Sequence, residues 1–190
     1  MPIWSNLKKN LKERVILHEV KKGDSQAFVW LYDQYSRQIF RFISIKINSL
    51  HDSEDLASEV FFRFWKEVNS SDKKIANPRG FLYQIARNLV IDYYRKKPRA
   101  DLILSQNQEK IVENIADHKS RLDQKAVLES DLNQVKQAMN QVKPLYQDLI
   151  IWHYLDDFSI KEIAQILEKP ENTVRVQLHR ALKALKSVIE

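Results

Sequence analysis

Apolar residues in the first half of the chain recur every three or four positions, which is the spacing of amphipathic helices. The pattern predicts a long helix after Asp24, whose carboxylate suits an N-cap, and a second helix from about Asp52. The polar residues 69–77 interrupt it, and Asn77 followed by Pro78 predicts the start of a third helix. That helix is expected to end near Arg95, because Pro98 disfavours helical geometry in the residue before it. Its predicted inward positions are Phe81, Leu82, Ile85, Leu89 and Val90.

The second half of the chain repeats this organisation after a polar interval. Residues 100–125 mix charges of both signs with Gln, Asn and Ser, which predicts a linker. Helical spacing returns from Leu128, with a new helix start at Pro144. Ser159 and Glu162 have the spacing of a capping box and predict a short helix over Ile160–Leu167. Residues 169–172 are the predicted turn, and Thr173 is the predicted cap of the last helix.

Composition adds to this picture mainly by exclusion. Two Gly and five Pro among 190 residues leave little turn chemistry for a many-stranded protein. We therefore predict an all-α fold, with two small helical domains joined by a flexible linker and a helix-turn-helix in the second. The chain has no Cys, so disulfides, thiol nucleophiles and thiolate metal sites are excluded. No apolar run has signal-peptide or membrane-spanning length, and a cytoplasmic protein is expected.

The net charge of +6, from 31 Lys and Arg against 25 Asp and Glu, is compatible with a polyanionic partner. The strongest local signal is the segment from Ser159 to Lys186, where a capped short helix, a tight turn and a second helix form the parts of a helix-turn-helix. Its second helix carries basic residues and no acidic ones from Thr173 to Lys186. Such a helix suits the major groove of DNA, although an ordinary surface helix also favours cations near its C-terminus.

Two further segments carry charge of opposite sign. From Arg79 to Arg99 the third helix has six Lys or Arg and one Asp, interleaved with Tyr, which suits single-stranded DNA. Alternatively, its aromatic residues are core and its basic cluster is a solvated helix end. The second helix instead opens on Asp52, Glu54, Asp55 and Glu59. The helix dipole explains the first three acids, whereas a functional acidic face would bind a basic protein partner.

In this order the segments resemble the extracytoplasmic-function (ECF) group of bacterial RNA polymerase sigma factors. The resemblance covers DSQAFVWLYDQYSRQIFRFI, HDSEDLASEVFFRFWKEV, PRGFLYQIARNLVIDYYRKK and the stretch from Leu145. It implies an N-terminal extension or helix over 1–24, a region 2 domain over 25–99, a linker over 100–125 and a region 4 domain over 126–190.

The resemblance also implies partners and their binding residues. The acidic helix would bind the clamp coiled coil of the polymerase β′ subunit through Asp55, Ser58 and Glu59, and the region 4 domain would meet the β flap. The third helix and the loop 69–77 would bind the non-template strand of the promoter minus-ten element, with one base flipped into a pocket. Its candidate residues are Arg79, Tyr83, Arg87, Asn88, Asp92 and Tyr93. The candidates for the minus-thirty-five duplex are Thr173, Arg175, Val176, Gln177, His179 and Arg180. Many members also have an anti-sigma factor as a partner.

The chain departs from the family pattern at several positions. Many members have Gln where Ser58 stands and Gly where Glu168 and Asn172 stand. Asn tolerates left-handed backbone, so the turn is expected to survive at Asn172. Ser-Arg is common where Val176-Gln177 stand, so promoter preference is expected to differ there.

Two other classes of function are compatible with parts of the sequence. A helix-turn-helix regulator acting without polymerase would explain the last helix but not the acidic and basic helices of the first module as a pair. An enzyme is disfavoured, because the five His show no paired-ligand spacing and no glycine-rich phosphate loop exists. No catalytic residue, metal ligand or cofactor is predicted.

Overall fold

The structure is a computed structural model that describes residues 3–70, 75, 77–96 and 137–189, with side chains from residue 11 onward. The described residues form helices and no strands, in two compact units, which confirms the predicted all-α, two-domain class. The first unit holds Met1–Ile47 and His51–Lys97, and the second holds the described C-terminal helices. No helix among the described residues is long and apolar enough to cross a membrane. The predicted linker 100–125 lies outside the described residues.

The first unit consists of four helices, α1 (Ile3–Lys21), α2 (Ser25–Lys46), α3 (Leu50–Ser70) and α4 (Pro78–Lys96). Asp24 caps α2 as predicted, because its Oδ1 accepts hydrogen bonds from the backbone N–H of Gln26 (2.8 Å) and Ala27 (3.3 Å). Gly23, with φ +85°, provides the left-handed residue of the turn between α1 and α2. Asn77 caps α4, accepting from the N–H of Gly80 at 2.9 Å.

The core of this unit is built from aromatic and branched side chains of α2, α3 and α4. Phe42 packs edge-on against Tyr83 with ring centroids 5.4 Å apart, and Phe64 lies 5.9 Å from Phe81. Such ring pairs add to the stabilisation that area burial gives. The fully buried positions include Leu31, Tyr35, Ile39, Phe42, Ile43, Val60, Phe64, Leu82, Tyr83 and Ala86.

The N-terminal extension is helical and packs on this core through Leu17 and Val20, both buried. Glu13, 3% exposed, accepts a hydrogen bond from the hydroxyl of Tyr35 on α2. Lys12 places its Nζ 4.7 Å from the Trp30 ring centroid, a cation–π contact at the surface. These contacts make α1 part of the first unit.

The second unit contains a helical turn at residues 137–141, α5 (Pro144–Ile150), a π-helical turn (Ile151–Leu155), α6 (Ile160–Leu167) and α7 (Glu171–Ile189). The capping box is present, with Glu162 N–H donating to Ser159 Oγ and Ser159 N–H donating to Glu162 Oε2 at 2.9 Å. Trp152, Phe158 and Leu149 are fully buried and centre the core beneath α6 and α7. Helix α6 begins at Ile160 and ends at Leu167, so its predicted bounds are confirmed. The apolar positions predicted from Leu128 to 136 lie outside the described residues.

Two details of the turn before α7 differ from the prediction. The helix begins at Glu171, and the carbonyl of Pro170 accepts from Val174 N–H at 3.2 Å, so Thr173 lies inside the first turn and is not its cap. Pro170 therefore occupies the cap position, where its carbonyl accepts the first intrahelical hydrogen bond. The left-handed residue is Glu168, with φ +53°, whereas Asn172 is helical. Left-handed geometry at the C-terminus of α6 lets Lys169 N–H reach Ala164 O at 2.9 Å.

Candidate nucleic-acid and protein interfaces

The predicted protein-binding residues of α3 lie on one side of the helix. Asp55, Ser58 and Glu59 share the outer face of the helix, with Asp55 68% exposed at its side chain. Asp55 Oδ2 lies 3.5 Å from His51 Nε2, and Glu59 Oε1 accepts from Arg63 Nε at 2.6 Å. Ser58 Oγ donates to its own helix, at Glu54 O (3.0 Å). The structure therefore brings the three predicted protein-binding residues together on one solvent-facing surface.

Phe62 lies at the C-terminal end of this surface and was not among the predicted site residues. It is 61% exposed and follows Asp55, Ser58 and Glu59 by seven, four and three positions, so the four side chains form one stripe. The helical spacing of Phe62 relative to Ser58 and Glu59 could have indicated its place on this surface. Its neighbours in the run Val60 to Phe64 are mostly apolar, however, and suggest that Phe62 belongs to the core. We call Asp55, Ser58, Glu59 and Phe62 the acidic face.

The exposed stripe of α4 carries a different chemistry. Gln84, Asn88, Ile91 and Arg95 follow one another at helical spacing, with Asn88, Ile91 and Arg95 exposed and Gln84 half-buried. Arg79, Arg87 and Asp92 are half-buried, and Asp92 Oδ1 pairs with Arg95 at 3.1 Å. The outer side of α4 is therefore uncharged along most of its length, with amides at Gln84 and Asn88 and an aliphatic group at Ile91, and is basic at its end.

The tyrosines of α4 are held by the protein itself. Tyr83 is fully buried against Phe42, so its prediction as a DNA-binding residue is corrected: it is a core residue. Tyr93 donates its hydroxyl to Asp52 Oδ2 at 2.6 Å, and Tyr94 donates to the backbone carbonyl of Lys46. Two of the predicted inward residues, Phe81 and Ile85, are only half-buried, because the buried side of α4 is rotated toward Tyr83 and Ala86. Of the two interpretations of these aromatic residues, the structural one holds for Tyr83.

The predicted loop 69–77 is shorter than the sequence suggested. Asn69 and Ser70 belong to the last turn of α3, where their side chains donate to Trp65 O (2.8 Å) and Lys66 O (2.6 Å). Residues 71–74 and 76 lie outside the described residues. At the end of the loop, Asn77 caps α4.

Helix α7 separates a buried stripe from a basic exposed face. Val174, Leu178 and Ala181 are buried. The exposed side carries Thr173, Arg175, Val176, His179, Arg180, Lys183 and Lys186. Gln177 is half-buried and its Oε1 is enclosed, so of the pair Val176-Gln177 it is Val176 that is displayed to solvent. The helix-turn-helix thus presents five of its six predicted DNA-binding side chains outward.

Arg175 is held at the edge of this face by residues of the first turn. Its guanidinium lies 3.7 Å from Glu171 Oε2 and donates to Asn172 Oδ1 at 3.3 Å. Glu171 precedes the acid-free stretch from Thr173 to Lys186, but it belongs to the same helix. The N-terminal turn of α7 therefore carries one acidic side chain next to the first of its cations.

A helical unit with an acidic face and a second unit with a basic recognition helix define a two-unit helix-turn-helix protein. Two family models match the chain, one described as Sigma-70 region 2 over residues 31–100 and one as Sigma-70, region 4 over residues 132–185. The ECF RNA polymerase sigma factor SigW of Bacillus subtilis is 32% identical over 184 residues, which span 93% of this chain and 95% of SigW. SigX of the same organism is 25% identical and covers 87% of this chain and 84% of its own. The chain belongs to the ECF sigma factors of RNA polymerase.

Solved structures agree with the fold. CnrH, solved in complex with the cytosolic domain of CnrY, matches with a TM-score of 0.69 at 18% identity, over 94% of this chain and 97% of its own. The sigma factor RpoE of Bartonella quintana, solved with the anti-sigma factor NepR, matches with a TM-score of 0.60 at 20% identity, over 85% and 96%. At these identities the likeness concerns the fold alone.

Proposed function

We propose that this protein binds core RNA polymerase, directs it to promoters with a minus-thirty-five duplex element and a minus-ten element, and promotes melting by holding unpaired non-template bases. The chemistry of transcription stays with the polymerase. Three separate surfaces support the three parts of this proposal.

The acidic face of α3 supports binding to the polymerase. A negative surface in a protein of net charge +6 is unsuited to DNA and suits a basic protein partner. Phe62 supplies an aromatic side chain that a partner would bury beside these charges, since interface energy concentrates in buried aromatic anchors. The proposed site on the polymerase is therefore a helical surface with basic residues next to an apolar hollow, as the clamp coiled coil of β′ would provide.

The outer stripe of α4 supports contact with the minus-ten strand. Asn88 offers an amide that can pair with the edge of an unstacked base, and Arg95 and Lys96 offer charge to phosphates. Arg79, Arg87 and Asp92 flank this stripe. Tyr93 contributes ring area beside it while its hydroxyl is engaged by Asp52. Trapping a flipped base costs a few kcal/mol of unstacking, which such contacts must offset.

The exposed face of α7 supports reading of the minus-thirty-five duplex. Arg180, Lys183 and Lys186 are exposed behind a buried stripe that fixes their helix on α5 and α6. The carrying observation is this combination: a capped helix-turn-helix whose recognition helix displays cations from Arg175 to Lys186 and no acid in that interval. Phosphate neutralisation by such side chains makes binding strongly dependent on salt.

The testing experiment is run-off transcription with core polymerase on a promoter library, with and without the purified protein. We expect promoter-specific transcripts only with the protein present, together with permanganate-reactive thymines at the minus-ten site. Absence of such transcripts from folded protein would overturn the proposal. Tight, specific duplex binding without polymerase, and no stimulation of transcription, would instead support a free-standing regulator.

We include an anti-sigma factor among the proposed partners. The support is that CnrH and RpoE were each solved with a protein partner, RpoE with a stated anti-sigma factor. Exposed apolar side chains on the first unit, Leu11, Val15, Val29 and Tyr32, provide surface that such a partner could bury. Protection of these positions from hydrogen exchange on adding a candidate partner would test it.

A further inference from the structure

On the recognition helix α7, the side chain that lies opposite the buried stripe is that of Val176, an aliphatic residue. With about 100° between successive residues, Val176 lies roughly half a turn from the buried stripe of Val174, Leu178 and Ala181. It is 50% exposed, and it therefore contributes little to the packing of the second unit.

Polar and basic side chains surround this valine. Its helical neighbours at four positions before and at three, four and seven positions after are Asn172, His179, Arg180 and Lys183, all exposed. Glu171, the acid of the first turn, lies to one side and is engaged with Arg175. Val176 is thus an apolar centre in a ring of hydrogen-bonding and cationic groups, with no acid among those neighbours.

A ring of this kind matches the floor and walls of a major groove. The phosphates on both sides of the groove attract the cations, while the only apolar group on its floor is the 5-methyl of thymine. Val176 lies in the second turn of α7, within the N-terminal part of a recognition helix that normally meets base edges. A protein partner would need carboxylates opposite this ring, whereas the phosphates that border the groove meet the cations directly.

We infer that Val176 reads a thymine of the minus-thirty-five element through the 5-methyl group, and so sets a promoter preference of its own for this chain. The inference rests on the proposed function, because it needs α7 to occupy the groove. It assigns the base-reading role to the exposed Val176 and not to Gln177, whose amide oxygen is enclosed.

Deoxyuridine provides the direct test, since it keeps every hydrogen-bonding group of thymidine and lacks only the methyl. The holoenzyme is first used to select its upstream element from randomised duplexes at fixed salt. Each thymine of the selected element is then replaced singly by deoxyuridine, and competition binding is measured. Burial of one methyl group predicts about a fourfold loss of affinity at one position.

The variants decide whether Val176 is responsible. Val176→Ala should abolish the deoxyuridine penalty at that position, and Val176→Thr, which keeps a γ-methyl, should retain it. Leu182→Ala removes another exposed aliphatic side chain of α7, about 120° away around the helix, and should leave the penalty unchanged. Circular dichroism confirms that each variant is folded.

The possible failures are separable. If the holoenzyme selects no upstream sequence at all, the proposed function and this inference fall together. If it selects an element but shows no deoxyuridine penalty, or an equal penalty with Val176→Ala, this inference alone is overturned.

Discussion

The hydroxyl of Tyr93 in α4 donates a 2.6 Å hydrogen bond to Oδ2 of Asp52 in the first turn of α3. The bond joins residues 41 positions apart and draws one acid of α3 away from the acidic face. We expect Tyr93→Phe to lower the free energy of unfolding of the first unit by about 1 kcal/mol, because a part-buried carboxylate loses its donor. Urea denaturation measures it.

The same residue separates a structural from a DNA-contacting role. Tyr93→Phe keeps the ring and should preserve promoter melting, whereas Tyr93→Ala should reduce melting more than its stability loss explains if the ring stacks on a base. Equal melting by both variants at a temperature where both are folded would assign Tyr93 to structure alone.

The stripe of α4 gives the second prediction. Arg87→Ala combined with Asn88→Ala should spare binding to core polymerase but lower open-complex formation by about tenfold, equivalent to about 1.4 kcal/mol. Permanganate reactivity of minus-ten thymines measures the open complex. Gln34→Ala, which removes an exposed amide from α2, is the matched control. Undiminished reactivity in the double variant would remove α4 from the proposed DNA surface.

Phe62 gives a prediction for the polymerase contact. Phe62→Ala should weaken binding to core polymerase by about tenfold while leaving the unfolding free energy nearly unchanged, because the ring is 61% exposed in the free protein. Titration of labelled protein with core polymerase measures the affinity. Leu11→Ala truncates a side chain of similar exposure on α1 and should have no effect. Wild-type affinity in Phe62→Ala would show that Phe62 contributes nothing to polymerase binding and that the charged residues of the acidic face account for it.

Arg175 and Glu171 give a prediction for duplex recognition. Arg175→Ala should weaken binding to the cognate minus-thirty-five element by about 1–3 kcal/mol if Arg175 reads a base. A loss shared equally by unrelated sequences would show a phosphate contact instead. Glu171→Gln should tighten binding to all sequences at low salt, because it removes a negative charge near the phosphates and releases Arg175.

Glu168 gives a prediction about stability. Its left-handed φ of +53° strains a side chain with a Cβ, so Glu168→Gly should raise the free energy of unfolding of the second unit by about 0.5–1 kcal/mol. Asp157 has the same φ, but Asp tolerates this region better, so Asp157→Gly should give a smaller gain. Thermal unfolding of both variants compares them. A destabilised Glu168→Gly would mean that the interactions lost with Glu168 outweigh the relief of backbone strain.

Local signals predicted the helices of this chain well. Asp24, Asn77 and Ser159 act as caps where the sequence placed them, because capping depends on the side chain and on the three or four residues that follow. Helix starts without such a side chain were less exact. The residue before Glu171 is Pro170, which has no side-chain acceptor to mark the cap, and the left-handed residue of the turn is a glutamate, which has no propensity to signal it.

The candidate site was harder to predict, since it depends on which side of each helix is covered. Tyrosine suits either environment, and only packing against Phe42 makes Tyr83 a core residue. Phe62 is the opposite case: a phenylalanine side chain is expected to be buried, but its position on α3 exposes it. Most charged side chains reach solvent, so Asp55, Glu59 and Arg180 are exposed or half-exposed as the sequence implied, whereas Glu13 is buried through its bond with Tyr35.

The hydroxyl of Tyr94 reaches the last turn of α2, as that of Tyr93 reaches the first turn of α3. The end of α4 is thereby clamped at two points to a corner that α2 and α3 share. A clamped helix has little freedom left to lose when a strand settles against it. On the proposed function, the free energy of capturing an unpaired strand would then go into parting the duplex and would not be spent on ordering the protein.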